Sequence, residues 1–227
     1  MDQKVYSIAI DGPAGAGKST IARRIAESMQ FVYVDTGAIY RTVAYAVCRD
    51  HADASDAACI EALLPKLSLQ LDWQEDGVQH MILDGQDVTA EIRRPEISAM
   101  ASVVSAIPGV RQFLLDTQRS VAKTHSVIMD GRDIGTVVLP DADVKIYLSA
   151  SAEVRARRRW LELQAQNRPD TYEEVLRDMQ ERDYRDMHRG IAPLCQAEDA
   201  ICVDTSALNL EESISALETI IREKLSI

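Results

Sequence analysis

The sequence has little that would mark a secreted, membrane-spanning or nucleic-acid-binding protein. It has no run of 18 apolar residues, and it enters a strand-like run at residues 5–10 without the segments of a signal peptide. Positive charge is not in excess: 25 Lys and Arg residues stand against 36 Asp and Glu residues, a net charge of −11. Because nucleic acids and anionic lipids are bound by clustered Lys and Arg, we expect neither partner, and a cytoplasmic location.

Cysteine is also scarce, and its spacing is irregular. The four cysteines, Cys48, Cys59, Cys195 and Cys202, form no C-x-x-C pair. A zinc site or a disulfide framework usually shows close, paired spacing, so the sequence disfavours both. We expect reduced thiols that are buried among apolar neighbours.

What the chain does have is an alternation of short apolar runs with helical patterns. The run at residues 5–10 is followed by a stripe of apolar residues at helical spacing over residues 18–29. Further strand-like runs lie at residues 31–34, 126–129, 144–148 and 200–203. A last helix is predicted at residues 210–224. Strands that alternate with helices form parallel sheets, so we predict an α/β fold with a parallel five-stranded sheet flanked by helices.

The middle of the chain has a different pattern. Residues 67–73 alternate apolar and polar side chains, Glu75-Asp76-Gly77 is a turn signal, and residues 78–83 form a second run before Asp84-Gly85. Alternation on both sides of a turn predicts an antiparallel hairpin with one exposed face. We interpret residues 36–104 as an insertion between the second and third parallel strands. Since no Gly/Ser-rich linker is present, we expect it to pack against the core.

The strongest motif follows the first strand-like run. Residues 12–19 fit G-x-x-x-x-G-K-[ST], with a strand before the motif and a helix after it. Glycines let the backbone curl around phosphates, and the helix that begins there presents its positive end to an anion. Lys18 can reach the β- and γ-phosphates of ATP, and the Ser19 hydroxyl can bind Mg²⁺. The predicted ATP-binding residues are Gly12, Pro13, Ala14, Gly15, Ala16, Gly17, Lys18, Ser19 and Thr20.

A phosphate-binding loop occurs in GTPases, in motor ATPases and in small-molecule kinases, so it does not identify the reaction. The sequence has no N-K-x-D motif to read a guanine base. Its third strand ends at Asp130 and Gly131, without the Asp-Glu pair of a motor ATPase. A small chain with an insertion fits a kinase better than either alternative.

Charged side chains follow the second and third strands, where open α/β sheets bind ligands. Arg41 lies one turn into the helix after the second strand. It can hold an acceptor phosphate, or Thr36 can cap the helix beside a solvated arginine, and the residues alone leave both open. The third strand ends in Asp130-Gly131-Arg132-Asp133. Buried charges are costly unless they are paired or bind a ligand, which favours Arg132 as a phosphate clamp and Asp133 as an acceptor for a base or sugar.

The helix after the fourth strand carries a cluster of four arginines, Arg155, Arg157, Arg158 and Arg159. Two or three of them are expected to be solvated. A helix that closes over ATP nevertheless needs cations near the transferred phosphoryl group, which favours a lid role for this segment.

A second charged cluster has helical spacing and shares roughly one helix face. Its members are Arg182, Arg185, Asp186 and Arg189. By spacing alone, a solvated helix with an ion pair between Arg182 and Asp186 explains the cluster better than a binding site does.

Taken together, five segments resemble those of bacterial cytidylate (CMP/dCMP) kinases, which are P-loop nucleoside monophosphate kinases. The segments are IDGPAGAGKST, DTGAIYR, DGRDIGTVV, VKIYL and RDYRDMHRGIAPL, in the family's order, and the likeness covers essentially the whole chain. Family members often have Ser at the position of Thr36, and some have Gly at the position of Ser19. The resemblance implies a P-loop NTPase-type core at residues 1–35, 105–153 and 167–227. It also implies an inserted α+β monophosphate-binding domain at residues 36–104 and a short helical lid at residues 154–166.

The resemblance also implies roles for individual residues and overturns the simpler interpretation of the second charged cluster. Lys18, Arg132 and Arg158 are the implied catalytic residues, Arg158 being a lid arginine that approaches the transferred phosphoryl group. The implied CMP-binding residues are Arg41 and Arg132 for the phosphate, Thr36, Arg111, Asp133 and Arg189 for cytosine, Ser102, Arg182 and Asp186 for the sugar, and Tyr40.

The expected reaction is in-line attack by the phosphate of CMP or dCMP on the γ-phosphorus of ATP bound with Mg²⁺. The acceptor is already an anion, so no strong general base is needed, and we expect a monomer with these small-molecule substrates only. Two alternatives remain open on the sequence. One is a P-loop kinase that phosphorylates a metabolite alcohol, and the other is a nucleotide-binding switch with negligible transfer.

Overall fold

The computed structural model describes residues 4–74 and 77–227. The described residues form eight strands: β1 (Ser7–Asp11), β2 (Val32–Asp35), β3 (Leu69–Trp73), β4 (Gln79–Leu83), β5 (Gln86–Asp87), β6 (Val127–Gly131), β7 (Val144–Ser149) and β8 (Ile201–Asp204). They also form eight α-helices: α1 (Lys18–Met29), α2 (Thr36–Arg49), α3 (Ala57–Leu63), α4 (Pro95–Val104), α5 (Pro108–Thr124), α6 (Ala152–Ala165), α7 (Tyr172–His188) and α8 (Leu210–Leu225).

Five strands form a parallel sheet in the order β2-β6-β1-β7-β8. β1 lies at its centre, with Ile8 opposite Ile128 of β6 and Val144 of β7. Each observed strand begins and ends within two residues of its predicted run. The predicted α/β fold with a five-stranded parallel sheet is therefore confirmed.

Helices cover both faces of this sheet, which is the usual condition for burying parallel strands. Ile8 and Ile10 of β1 pack in one hydrophobic cluster with α1 and α8, while Ala9 packs in a second cluster with α2 and α5. This division follows from the two-residue period of a strand. α1 spans the predicted residues because Ile21 and Ile25 repeat at helical spacing and face the sheet, buried.

The insertion contains the predicted antiparallel hairpin. Leu69 of β3 lies opposite Leu83 of β4, Trp73 lies opposite Gln79, and β5 adds a short third strand. Two residues of the predicted turn, Glu75 and Asp76, lie outside the described residues. The buried residues Met81 and Leu83 belong to the same cluster as Ala9 of β1, so the hairpin packs against the core as expected.

The cysteines depart from the expectation of buried thiols. Cys48 and Cys59 are half-buried, whereas Cys195 and Cys202 are exposed. The expectation was wrong for the last two because Cys195 lies in the loop after α7 and Cys202 faces outward on the edge strand β8.

Within residues 4–74 and 77–227, no single helix is long and apolar enough to cross a membrane; α4 and α5 pass that test only as a pair, bent by 103°.

Candidate active site

A cavity of about 680 Å³ lies beyond the carboxyl ends of β1, β2 and β6. This is the position at which an open α/β sheet binds ligands, and the volume is that of a small-molecule site. Every predicted site residue except Gly12 and Pro13 lines it. Those residues are Ala14, Gly15, Ala16, Gly17, Lys18, Ser19, Thr20, Thr36, Tyr40, Arg41, Ser102, Arg111, Arg132, Asp133, Arg158, Arg182, Asp186 and Arg189.

The loop between β1 and α1 has the backbone shape of a phosphate cradle. Gly12 has φ +150°, and a Cβ atom there would lie 2.0 Å from the Leu148 carbonyl oxygen, so only glycine fits. Gly17, with φ +87°, is the N-cap of α1, and no side chain caps this helix. The first-turn amides of α1 can therefore serve an anion, and the helix dipole favours one.

Lys18 lies inside this cradle, where its Nζ donates to the Pro13 carbonyl oxygen at 2.8 Å. Burial, together with the positive charge of Arg132, lowers the pKa of Lys18 to about 7, although Asp130 and Asp11 act in the opposite direction. A lysine in this setting gains from an incoming phosphate, because the phosphate supplies the negative charge that favours the ammonium form.

Ser19 and Asp130 bring a hydroxyl and a carboxylate together beside the cradle. Ser19 Oγ donates to Asp130 Oδ2 at 2.9 Å, and the Tyr33 hydroxyl donates to the other carboxylate oxygen at 2.8 Å. Burial and the nearby Asp35 raise the pKa of Asp130. Hydroxyl and carboxylate oxygens suit Mg²⁺, which binds through few protein ligands and shares the rest with phosphates. In the described part of the chain, no group of three or more His, Cys, Asp or Glu side chains is placed to hold a metal ion.

Arg41 is held at the start of α2 by Asp35. The Asp35 carboxylate accepts from the Ala38 N–H at 2.9 Å and from Arg41 Nη2 at 2.8 Å. Asp35, not Thr36, is the N-cap of this helix; the Thr36 hydroxyl instead donates to the Asp130 carbonyl oxygen at 2.7 Å. The alternative of a Thr36 cap beside a solvated arginine is therefore wrong, because the residue before Thr36 takes the cap and also pairs with Arg41.

Asp133 is buried between two arginines at the floor of the cavity. It forms ion pairs with Arg111 and with Arg189, the second at 3.3 Å. The Arg111 guanidinium also lies over the Tyr40 ring, 5.4 Å from its centroid. These groups combine one carboxylate with two forked donors and a flat aromatic surface, a set that suits a polar heterocyclic base.

Arg182 and Asp186 do not form the ion pair that their spacing predicted. Asp186 pairs with Arg132 at 2.8 Å, because α7 turns this carboxylate toward the end of β6. Burial and Arg132 lower the pKa of Arg182. Within the described residues, the buried Nε atoms of Arg41 and Arg182 have no hydrogen-bond partner. Two cations with unused donors thus line the same cavity, as an anion site requires.

The arginines of α6 separate into different roles. Arg155 is buried, pairs with Asp183 at 2.7 Å and donates to the Ala14 carbonyl oxygen at 2.9 Å, so it braces the phosphate loop. Arg157 and Arg159 are exposed. Arg158 lines the cavity and donates to the Thr205 carbonyl oxygen at 2.8 Å. Two of the four are therefore solvated, which agrees with the prediction for this cluster.

Some residues of the site were not found from the sequence. Asp11 ends β1 and accepts hydrogen bonds from the Ile134 and Gly135 N–H groups at 2.8 and 2.7 Å, which anchors the loop that carries Arg132 and Asp133. A carboxylate at the carboxyl end of a buried strand is a sequence signal that could have identified Asp11. The far end of the cavity is lined by the segment before and within α8, at Leu208, Asn209, Leu210 and Ser213, for which the sequence had no signal.

The parallel sheet, the phosphate loop and the facing arginines define a P-loop kinase. The profile of the family described as "Cytidylate kinase" matches residues 8–223. The chain belongs to the cytidylate kinase family, and the resemblance stated from its motifs is confirmed.

Named relatives agree over the whole length. A cytidylate kinase of Desulfitobacterium hafniense is 46% identical over 98% of this chain and 95% of its own length. One from Carboxydothermus hydrogenoformans is 48% identical over 96% and 97%, and one from Bacillus velezensis is 43% identical over 99% of both chains. A solved structure of an uncharacterized protein from Eubacterium ventriosum aligns with a TM-score of 0.54 over 97% of this chain and 99% of that chain, at 14% identity, which is a likeness of fold alone.

Proposed function

We propose that the cavity holds ATP with Mg²⁺ on the phosphate loop and CMP or dCMP on the facing arginines, and that the γ-phosphoryl group passes between them. Membership of the cytidylate kinase family makes the chain a nucleoside monophosphate kinase that phosphorylates CMP with ATP. It decides against both alternatives left open by the sequence, the metabolite-alcohol kinase and the nucleotide-binding switch.

On the donor side, Lys18 and the first-turn amides of α1 bind the ATP phosphates. Ser19 and Asp130 hold Mg²⁺, which would neutralise charge on the phosphates when it is bound. The far end of the cavity, between Arg158 and Leu210, is the space left for the base of ATP.

On the acceptor side, Arg41 and Arg132 bind the CMP phosphate. Asp133 accepts from the exocyclic amine of cytosine, while Arg111 and Arg189 donate to the acceptor atoms of the ring. Thr36 and Tyr40 complete the base site, and Ser102, Arg182 and Asp186 face the sugar. The observation that carries this proposal is the position of Asp133, which is buried between two arginines in the cavity that the phosphate loop also lines.

The residues act mainly by position and charge. Arg132 lies near enough to Lys18 to lower its pKa, so the two cations share one small region in which the transferred phosphoryl group can lie. Fixed positive charge there stabilises the charge that spreads over phosphoryl oxygens in the transition state. No residue needs to remove a proton, because the acceptor phosphate is already ionised near neutral pH.

We also propose the domain limits given by the resemblance: residues 36–104 as the acceptor domain, residues 154–166 as the lid and the rest as the core. An open cleft of about 1270 Å³ separates α4 from α7 and is lined on its two sides by Ser98 and Ser102 and by Met179 and Tyr184. Closure of this cleft would exclude water from the reaction.

The experiment that tests these roles is titration calorimetry of CMP and of a non-hydrolysable ATP analogue against matched variants. We expect Arg41→Met to weaken CMP about tenfold or more and to leave the analogue unchanged, and Lys18→Met to do the reverse, because each removes a charged contact to one phosphate. Equal losses for both ligands in both variants would refute the assignment of separate sites.

A further inference from the structure

The edge strand β2 has backbone groups that the parallel sheet does not use. β2 is the first strand of the sheet order and pairs on one side only, with β6. The Val32 N–H donates toward β6, to the Ser126 carbonyl oxygen at 2.8 Å. Because alternate residues of a strand point their peptide groups in opposite directions, Tyr33 and Asp35 turn theirs to the open edge.

Two side chains at the turn end of the hairpin pair with three of these four groups. Gln79 Oε1 accepts from the Asp35 N–H at 2.7 Å, and Gln79 Nε2 donates to the Asp35 carbonyl oxygen at 3.3 Å. Trp73 Nε1 donates to the Tyr33 carbonyl oxygen at 3.2 Å. The Gln79 amide thus takes the place of a peptide group from a missing neighbouring strand, with one donor and one acceptor.

The Gln79 amide covers the strand edge and also contacts the residue that holds Arg41. Gln79 is buried, and so is Asp35. The Asp35 carboxylate caps α2 and holds Arg41, so the direction of the Arg41 guanidinium depends on how the Asp35 backbone is fixed. The Gln79 amide holds both the N–H and the carbonyl group of Asp35, so it restrains this backbone more than a single hydrogen bond would.

We propose that Gln79 is a positioning residue for the acceptor phosphate: by holding both backbone groups of Asp35, it sets the Asp35–Arg41 pair in the geometry that binds the CMP phosphate. This proposal rests on the role of Arg41 given above. It makes the hairpin, whose strand β4 carries Gln79, a support for acceptor binding and not only a cover for the sheet edge.

The test compares two side chains of the same hairpin that form hydrogen bonds to the same strand edge. Gln79→Met keeps side-chain length and removes both contacts to Asp35, leaving its buried N–H and carbonyl groups unpaired. Trp73→Phe is the matched control, because it removes the contact to Tyr33 and leaves Asp35 untouched. Steady-state kinetics of both variants, the wild type and Arg41→Met give the KM for CMP, the KM for ATP and kcat.

We expect Gln79→Met to raise the KM for CMP by about tenfold and to leave the KM for ATP within about twofold. Trp73→Phe is expected to lower the melting temperature and to leave both KM values unchanged. The ratio of the two KM values in one preparation is independent of how much of that preparation is folded. If Gln79→Met does not fold, Gln79→Glu replaces it; this variant keeps an acceptor for the Asp35 N–H and loses the donor, and the same direction of change is expected.

An unchanged ratio of KM values in the Gln79 variant, or an equal change in Trp73→Phe, would overturn the proposal and leave Gln79 a stabilising residue only. Failure of the proposed function is seen separately. In that case the wild type does not phosphorylate CMP, or Arg41→Met leaves the KM for CMP unchanged.

Discussion

At the scale of single residues, the lowered pKa of Lys18 predicts that the protein takes up a proton when a phosphate binds. Burial and Arg132 lower its pKa to about 7, so at about pH 8 much of the lysine is neutral in the free protein. Bound phosphates favour the ammonium form and raise the pKa again. Binding of the ATP analogue with Mg²⁺ should therefore take up as much as about one proton near pH 8 and less near pH 6.

Titration calorimetry in buffers of different ionisation enthalpy measures this uptake. Lys18→Met is the control, since it removes the titrating group and should abolish the uptake near pH 8. The same number of protons exchanged by wild type and variant would contradict the prediction.

The raised pKa of Asp11 leads to a prediction about how the free energy of unfolding depends on pH. Burial raises its pKa from 3.8 to about 6, although the Gly135 and Ile134 N–H groups oppose this. The folded state thus holds the Asp11 proton more tightly than the unfolded chain does. Its contribution to the free energy of unfolding is fully present below about pH 4 and is lost as the pH rises through about 6, a change of about 3 kcal/mol at most.

Urea unfolding of wild type and Asp11→Asn between about pH 4 and pH 7 tests this sign. Asp11→Asn also weakens one contact to the loop after β6, but that loss is the same at each pH. Over this range the wild type should lose more stability than the variant. A steeper loss in the variant would show that the native site favours the ionised carboxylate.

The role of a residue could be predicted from the sequence where it depends on neighbours in the chain, and not where it depends on a partner far along the chain. The phosphate loop needs glycines and a lysine in consecutive positions, so a short motif was sufficient. The prediction of an Arg182–Asp186 ion pair was wrong because Arg132, in the loop after β6, pairs with the Asp186 carboxylate instead. Gln79 had no signal, since its amide meets a backbone 44 positions away and any buried polar residue of a strand looks the same.

At the scale of elements, Arg155 of α6 is joined to α7 by a buried ion pair and to the phosphate loop by a hydrogen bond. Arg155 and Asp183 lie 2.7 Å apart, with side chains 5% and 12% exposed, and Arg155 also donates to the Ala14 and Ala150 carbonyl oxygens. Arg155→Met should lower the free energy of unfolding by about 3 kcal/mol, because it leaves the Asp183 charge buried without a partner.

The double variant Arg155→Met with Asp183→Leu removes that charge as well. It should recover at least about half of the lost stability, as measured by urea unfolding near pH 7. Equal losses in the single and double variants would mean that the stability comes from the contacts of Arg155 to the backbone and not from its ion pair with Asp183.

Elements with a single clear sequence pattern were predicted well. α1 was predicted to its exact ends because its apolar stripe begins at a glycine cap. The runs of β1, β2, β6 and β7 were found because most of their residues on both faces are buried. The way the hairpin docks on β2 could not be predicted. It depends on the side chains of Trp73 and Gln79, which the alternating pattern marks only as positions on a strand.

At the scale of the whole molecule, the charge of the cavity is opposite to that of the chain. The net charge is −11, yet the described lining of the cavity has seven Lys and Arg side chains and five Asp and Glu side chains. Because a concave site with low-dielectric walls focuses its field, this arrangement draws small anions into the cavity while the outer surface repels polyanions. The monomeric state and the cytoplasmic location remain predictions.

The central claim is that this cavity phosphorylates a cytosine nucleotide with ATP. A coupled assay of ADP release with MgATP and each of CMP, dCMP, UMP, AMP and GMP tests it most directly. We predict rapid turnover with CMP and dCMP and little with AMP and GMP, because Asp133 and the two arginines beside it match the donor and acceptors of cytosine. Turnover that favours a purine monophosphate, or none with any acceptor in a folded protein that binds ATP, would contradict the account.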